Sequence, residues 1–215
     1  MCKTIVIVDG DKASEPPSTY LLDACGGYYV HQFRTPHAYL AARLLARADC
    51  LLLELRLRGA DGLELLRTLA KHKDSPPVVV TSDSGDVPLA VEAMKLGAID
   101  FLVKPFRPAT LLQAIDEACA RREEWQRRAE QQRRAARRVS TLSPRLRQVL
   151  QGIARGQANK AIAHDLQLSV RTVEAYRSQL RAKLGARTTA AAIQIALAAG
   201  LDGSGDDRRR SEAPH

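Results

Sequence analysis

The chain has 215 residues and a formal net charge of +9, and this length suits two small domains better than one large one. No stretch of about 18 apolar residues and no secretion signal is present, so we expect a cytoplasmic protein without a membrane partner. Residues 1–109 carry 13 Lys or Arg and 13 Asp or Glu, whereas residues 139–215 carry 12 and 6. Only the second half is therefore expected to meet a polyanion.

The four cysteines follow the spacing of neither a zinc site nor a disulfide framework. We therefore expect reduced thiols, and a redox-sensing Cys25 or Cys119 is the alternative.

Short apolar runs alternate with helical patterns through the first half of the chain. The apolar runs are Thr4–Val8, Tyr29–Phe33, Cys50–Leu53, Val78–Thr81 and Phe101–Val103. Continuous β-branched runs separated by helices are typical of a parallel sheet that is buried on both faces. The pattern predicts a doubly wound α/β domain with a five-stranded parallel sheet over residues 1–115.

Four polar residues come directly after these strands, namely Asp9, Glu54, Ser82 and Lys104. The carboxyl ends of parallel strands meet at one edge of the sheet, so these side chains should converge there. Each residue alone could be an ordinary polar strand end. Four complementary groups at one edge favour a functional site instead.

Residues 109–139 form one helical pattern without proline or glycine. Its apolar positions are too sparse for a strong coiled coil. We predict a semi-rigid helical linker over residues 116–139, with weak helix pairing in a dimer as the alternative.

Residues 140–202 predict a small all-α domain. Ser143 and Pro144 begin a first helix, a turn before Lys160 leads to a second, and Ser169 begins a basic third helix that ends near Leu184. Thr188 or Thr189 begins a fourth, apolar helix. A capped helix-turn-helix with a basic third helix is suited to a DNA groove, so the expected partner is double-stranded DNA. The polar residues 203–215 predict a disordered tail.

Motifs in both halves resemble two-component response regulators of the NarL/FixJ family. They are Val6-Ile-Val-Asp-Gly-Asp11, the run from Gly85 to Phe106, Asn159-Lys-Ala-Ile-Ala163 and Arg171-Thr-Val-Glu174. The resemblance extends from residue 4 to about residue 201. It implies a CheY-like (flavodoxin-like) receiver domain that accepts phosphate from a histidine kinase, followed by a LuxR-type helix-turn-helix. It also implies a homodimer paired through the fourth helix, and a transcription regulator rather than an enzyme.

The resemblance assigns roles in the first domain. Glu54 occupies the phospho-acceptor position, where receivers carry aspartate. The residues assigned around it are Asp9 and Asp11 as the acidic pocket, and Ser82, Phe101 and Lys104 as the groups that sense phosphate. Ser82 is assigned by its distance from Gly85, with the adjacent Thr81 as the alternative.

Two departures from the family affect phosphorylation. Receivers usually carry two adjacent acids after the first strand, and here Asp9 is followed by Gly10. The candidate ligands of Mg²⁺ are therefore Asp9 and Glu54, which form a weakened site, so no cofactor is expected to be required. The extra methylene of Glu54 also misplaces a nucleophile for in-line transfer.

We therefore expect a pseudo-receiver, a receiver fold that is controlled without phosphorylation. The longer carboxylate of Glu54 is expected to reach Lys104 and the Ser82 hydroxyl, and to imitate the phosphorylated state in part. A conventional phosphorylated response regulator is the alternative.

The resemblance also assigns DNA contacts. The residues expected to position the phosphate backbone are Asn159, Lys160, Thr172, Arg177 and Lys183, and those expected to read bases are Glu174, Ala175 and Ser178. Glu174 would accept from a cytosine amine, and Ala175 would contact a thymine methyl group.

Two further functions stay open. Leu146 stands where the family usually carries glutamate. One alternative function is therefore that of an adaptor that binds no DNA and heterodimerises with another regulator. Asp9-Gly-Asp11 also resembles the nucleophile motif of haloacid-dehalogenase-type phosphatases, although Ala13 and the second half of the chain do not fit that fold.

Overall fold

The computed structural model describes residues 2–10, 22, 25–42, 48–57, 60–72 and 74–201. The chain divides into two compact units, Met1–Trp125 and Gln126–His215. Within the described ranges, no helix combines the length and apolar character that crossing a membrane requires. Asp11 and the predicted disordered tail at 203–215 lie outside the described residues.

The first unit is built on a parallel sheet. Its strands are β1 (Lys3–Val8), β2 (Tyr28–Phe33), β3 (Cys50–Glu54), β4 (Arg56–Leu57), β5 (Ala60–Asp61), β6 (Val78–Ser82) and β7 (Asp100–Val103). Five of them form a parallel sheet in the order β2-β1-β3-β6-β7, and β4 pairs with β5 antiparallel. The predicted five-stranded doubly wound sheet is confirmed, and its order reverses between β1 and β3.

Apolar side chains cover both faces of this sheet. The described helices of the first unit are Pro36–Ala41, Gly62–Ala70, Val87–Lys95 and the start of Pro108–Ser140. Val6 and Val8 pack into the core on one face, and Ile5 and Ile7 into the core on the other. Burial on both faces explains why the strands are continuous apolar runs rather than alternating ones.

Burial also affects the reactivity of the cysteine thiols. It raises the pKa of the Cys50 thiol well above its ordinary value, and that of Cys119 to about 11. Because the thiolate is the reactive form, Cys119 does not suit redox sensing. Cys25 is exposed.

The predicted uninterrupted connector helix is present as Pro108–Ser140. Its first turns belong to the core of the first unit, where Ile115 and Ala118 are fully buried. Ala135 and Val139, near its end, are buried in the second unit. Residues 116–139, predicted as a semi-rigid helical linker, thus pack into the first unit at their start and into the second unit at their end, and the two units divide after Trp125.

The second unit contains four further helices, Pro144–Ala154, Asn159–Asp165, Val170–Leu184 and Thr189–Ala198. The predicted caps are present: Ser143 Oγ accepts from Leu146 N at 3.3 Å and Ser169 Oγ from Thr172 N at 3.0 Å. Of the two candidate caps of the last helix, Thr188 is the one used, accepting from Ala191 N at 3.1 Å.

Gly62 begins its helix directly against the backbone that carries Glu54. A Cβ at this position would lie 2.7 Å from Leu55 Cα and would clash with the Glu54 carbonyl oxygen. Because backbone atoms cannot rotate away, Gly62→Ala should destabilise the first unit by about 2 kcal/mol in chemical unfolding. Gly85→Ala is the control, since its Cβ would lie 3.8 Å from Val103 Cγ2. Equal stability of the two variants would contradict the close approach.

Candidate functional site

The carboxyl edge of the sheet brings Asp9, Glu54 and Lys104 together, as their positions after the strands predict. Lys104 Nζ lies 2.8 Å from Glu54 Oε2 and 3.2 Å from Asp9 Oδ2. A third carboxylate, Asp83, lies 4.0 Å from the same ammonium and is 60% exposed. Asp83 was not among the residues predicted from the sequence, although it directly follows the end of β6.

Both oxygens of the Glu54 carboxylate accept hydrogen bonds. Oε1 accepts from the backbone N–H of Arg56 at 3.0 Å, and Oε2 accepts from Thr81 Oγ1 at 3.1 Å beside its contact with Lys104. Glu54 is only 2% exposed. A buried carboxylate is tolerated when it is paired and hydrogen-bonded, and three donors meet that requirement here.

Lys104 supplies the positive charge of the pocket. Burial alone would lower the pKa of its ammonium, but the hydrogen bond and charge of Glu54, with a further contribution from Asp9, raise that pKa above its usual value. Its backbone N–H donates to Ser82 O at 2.8 Å, and the Lys104–Pro105 peptide bond is cis, as the resemblance implies. The ammonium is therefore charged at neutral pH.

The hydroxyl that meets Glu54 belongs to Thr81 rather than to Ser82. Glu54 and Thr81 are direct partners in the pairing of β3 with β6. Ser82 is fully buried, and its Oγ accepts from Ser84 N at 3.3 Å. The expected contact between Glu54 and Ser82 is thus replaced by the alternative hydroxyl, because the strand register decides which side chain faces the carboxylate. The phosphate-sensing role of Ser82 stays a prediction.

Phe101 lies on β7 and is half-buried against the core on the Val6 face. Gly10 follows β1 and brings no carboxylate to the pocket. Within the described part of the chain, no group of three or more His, Cys, Asp or Glu side chains is arranged to hold a metal ion.

The basic third helix of the second unit, Val170–Leu184, presents one face to solvent. We call it the recognition helix. Glu174, Ala175 and Ser178 are exposed, whereas Val173 and Leu180 are buried on the opposite side. Of the remaining candidates, Lys160 and Lys183 are exposed and Thr172 is half-buried, with its hydroxyl 2.8 Å from Ser169 Oγ. The predicted base-reading residues therefore share one open helix face.

Arg177 has a structural role that its sequence pattern does not indicate. It is half-buried, and its Nη1 donates to Asn159 Oδ1 at 3.0 Å while its Nη2 donates to Thr189 Oγ1 at 3.5 Å. These partners begin the second and the last helix of the unit. Arg177 thus joins three helices, and it hydrogen-bonds to another of the predicted phosphate contacts.

Leu146, the departure from the family's glutamate, lies in the apolar core of the second unit and is 3% exposed. An apolar side chain at a core position supports packing of the helix-turn-helix. This position therefore gives no reason to expect a disrupted DNA-binding domain.

Comparison with known proteins identifies both units. Residues 5–116 match the response regulator receiver domain family, and residues 140–196 match the LuxR family of bacterial regulatory proteins. The chain is 37% identical to the transcriptional regulatory protein FixJ of Bradyrhizobium diazoefficiens, covering 92% of this chain and 96% of that protein. For FixJ of Rhizobium meliloti the identity is 36%, covering 92% and 97%.

Solved structures agree with these relatives. The response regulator StyR matches with a TM-score of 0.74 at 34% identity, covering 92% of this chain and 99% of that one. Full-length FixJ from B. japonicum matches with a TM-score of 0.54 at 38% identity, covering 93% and 98%. The FixJ relatives are transcriptional regulators and not enzymes, which argues against the phosphatase alternative. The chain therefore belongs to the NarL/FixJ family of two-component response regulators, with a receiver domain and a LuxR-type DNA-binding domain.

Proposed function

We propose that this DNA-binding regulator is controlled without phosphoryl transfer to residue 54, so that its receiver domain is a pseudo-receiver. The observation that carries the proposal is the environment of Glu54. Its buried carboxylate is engaged by the Arg56 backbone N–H, the Thr81 hydroxyl and the Lys104 ammonium. A nucleophile held by three donors must give up these contacts before it can attack a phosphorus atom, and its extra methylene places it wrongly for that attack.

The proposal extends to magnesium. Receiver domains typically bind Mg²⁺ for phosphorylation, and the ligands predicted for it here are the carboxylates of Asp9 and Glu54. The ammonium of Lys104 already contacts both of them, at 3.2 Å and 2.8 Å. Since Mg²⁺ demands a nearly octahedral set of oxygen ligands and Gly10 has no carboxylate to contribute, these residues do not fit a tightly held ion.

In this proposal the contacts that Glu54 makes with Lys104 and Thr81 hold the carboxyl edge of the sheet in one arrangement. A carboxylate has one charge and two oxygens, so it imitates a phosphoryl group only in part. The output would then be set by the amount of protein, by dimer formation or by another ligand. Conventional phosphorylation by a histidine kinase is the alternative.

The proposed DNA surface is the open face of the recognition helix with its surroundings. Glu174, Ala175 and Ser178 read bases, since they are exposed on one face. The residues proposed to position the phosphate backbone are Asn159, Lys160, Thr172, Arg177 and Lys183. The proposed homodimer pairs the helix Thr189–Ala198 with its copy, and the 49% exposure of Leu197 supports that contact.

Acetyl phosphate with Mg²⁺ tests the receiver proposal. The wild-type protein should show no phosphoryl adduct in intact mass spectrometry. The double variant Gly10→Asp/Glu54→Asp restores both missing features of a receiver and should gain one adduct, because it regains the second acid and a correctly placed nucleophile.

Gly10→Asp and Glu54→Asp alone separate the loss of the metal ligand from the change of acceptor. Circular dichroism checks that all variants fold, and a receiver with aspartate at both positions controls for the phosphodonor. A stable adduct on any receiver residue of the wild-type protein would contradict the proposal and favour conventional control.

A further inference from the structure

The helix Pro108–Ser140 changes the sign of its charge along its length. Residues 108–125 carry two arginines and four acids, whereas residues 126–140 carry six arginines and one acid, Glu130. The change coincides with the division of the chain after Trp125. The basic part, which we call the arginine segment (residues 126–140), therefore belongs to the unit that carries the helix-turn-helix.

The arginine segment is anchored to the core of that unit. Ala135 and Val139 are 5% and 6% exposed, and Val139 packs within the apolar core of the helix-turn-helix. Arg138 Nη1 donates to Leu184 O, at the end of the recognition helix, at 3.5 Å. These contacts fix the position of the segment's last turns relative to the recognition helix.

Other arginines of the segment face solvent. Arg133, Arg134 and Arg137 are exposed, and the side chain of Arg134 is 72% exposed. Arg134 Nε donates to Glu130 Oε1 at 2.8 Å, and this hydrogen bond lowers the pKa of the Glu130 carboxyl group. An exposed pair of this kind is weak, so a phosphate can compete with Glu130 for the guanidinium.

Exposure to water alone does not explain why four arginines lie so close together between Arg133 and Arg138. Arg133 and Arg137 are like charges four residues apart, as are Arg134 and Arg138, and such pairs destabilise a helix. The helix dipole favours the cations of the last turn, Arg137 and Arg138, but its effect does not reach back to Arg133 and Arg134. A polyanion beside the segment would relieve the repulsion.

We propose that the arginine segment binds phosphates of duplex DNA that flank the sequence contacted by the recognition helix. The charges are complementary, and the segment adjoins a helix that itself exposes Arg181 and Lys183. At about 1.5 Å per residue, the distance along the helix from Arg127 to Arg138 is roughly 16 Å, or about five base pairs of duplex. The inference depends on DNA binding by this family and not on how the receiver is controlled.

The triple variant Arg133→Gln/Arg134→Gln/Arg137→Gln of the full-length protein tests the proposal. Its DNA binding is measured by fluorescence anisotropy over a salt series, with a duplex that the wild-type protein has enriched from a random library. Affinity at about 0.1 M salt should fall roughly tenfold or more, and the slope of log K against log salt should become shallower by about 1 to 2. The same duplex trimmed to its central site should bind both proteins alike.

The matched control removes the same charge from exposed residues of the first unit, as Lys95→Gln/Arg107→Gln/Arg121→Gln. It should keep wild-type affinity and slope. The triple lysine variant Arg133→Lys/Arg134→Lys/Arg137→Lys keeps the charge and should restore binding, and thermal unfolding checks that all variants fold. The proposal would be overturned if the glutamine variant kept the wild-type salt slope, or if the control variant lost as much DNA affinity. It would also be overturned if the glutamine variant lost as much affinity on the trimmed duplex, or if it lost transcription while binding DNA normally.

Discussion

The free energy of unfolding of the receiver unit should fall by about 3 kcal/mol when Lys104 is replaced by methionine. Methionine is similar in length but has no charge, so the variant leaves the buried Glu54 carboxylate and the nearby Asp9 without the cation that contacts both. Removing one partner of a buried ion pair is costly because the other charge stays desolvated. Chemical unfolding at neutral pH measures the loss.

A double-mutant cycle with Glu54→Gln tests whether the lost unfolding free energy comes from the ion pair of Glu54 with Lys104. Glutamine keeps one side-chain oxygen to accept from the Arg56 N–H, its amide NH2 can donate to the Thr81 hydroxyl, and it carries no charge. The double variant Glu54→Gln/Lys104→Met should therefore be more stable than Lys104→Met alone, with a coupling energy of about 2 kcal/mol. Additive effects of the two substitutions would show that the ion pair does not stabilise the fold.

The pH dependence of the same variants has a defined sign. Burial alone would lower the pKa of Lys104, but Glu54 and Asp9 raise it above its ordinary value of 10.5. A lysine whose pKa is higher in the folded than in the unfolded protein contributes stability that is fully present below its unfolded-state pKa. This contribution is lost as pH rises through its folded-state pKa. The difference in stability between wild type and Lys104→Met should therefore narrow above about pH 10.5. A difference that widens there would contradict the assignment.

The convergence of Asp9, Glu54 and Lys104 could be predicted from the sequence because two simple regularities determine it. Strands buried on both faces are continuous apolar runs, and the residues after such strands meet at one edge of a parallel sheet. Neither regularity needs knowledge of side-chain contacts. The caps at Ser143 and Ser169 were predictable for a similar reason, since a cap depends on residues three positions apart.

The strand register and the contacts between residues far apart in the chain could not be predicted from the sequence. Thr81 rather than Ser82 meets Glu54 because the two strands pair in one register, and adjacent hydroxyls give no sign of it. The helical pattern of residues 109–139 likewise does not show that its first turns pack in one unit and its last turns in the other. Arg177 meets partners 18 and 12 residues away, and no local pattern indicates such distant contacts.

In the DNA-binding domain, Arg177→Ala should weaken binding to every duplex by a similar factor, about tenfold, and should lower the salt slope by about 1. The structure adds a second expected effect. Loss of the hydrogen bonds to Asn159 and Thr189 should destabilise the domain by about 2 kcal/mol, since hydrogen bonds from charged groups are stronger than neutral ones. Anisotropy over a salt series and thermal unfolding measure the two effects separately.

Two matched variants distinguish the roles of Arg177. Arg171→Ala removes the same charge from an exposed position of the recognition helix, so it should change the salt slope with little effect on stability. Arg177→Lys keeps the charge but loses the fork that reaches two acceptors, so it should lower stability while keeping most of the slope. Glu174→Ala should instead change the preference at one base pair. If Arg177→Ala also acted selectively at one base pair, Arg177 would read sequence rather than hold helices and phosphate in place.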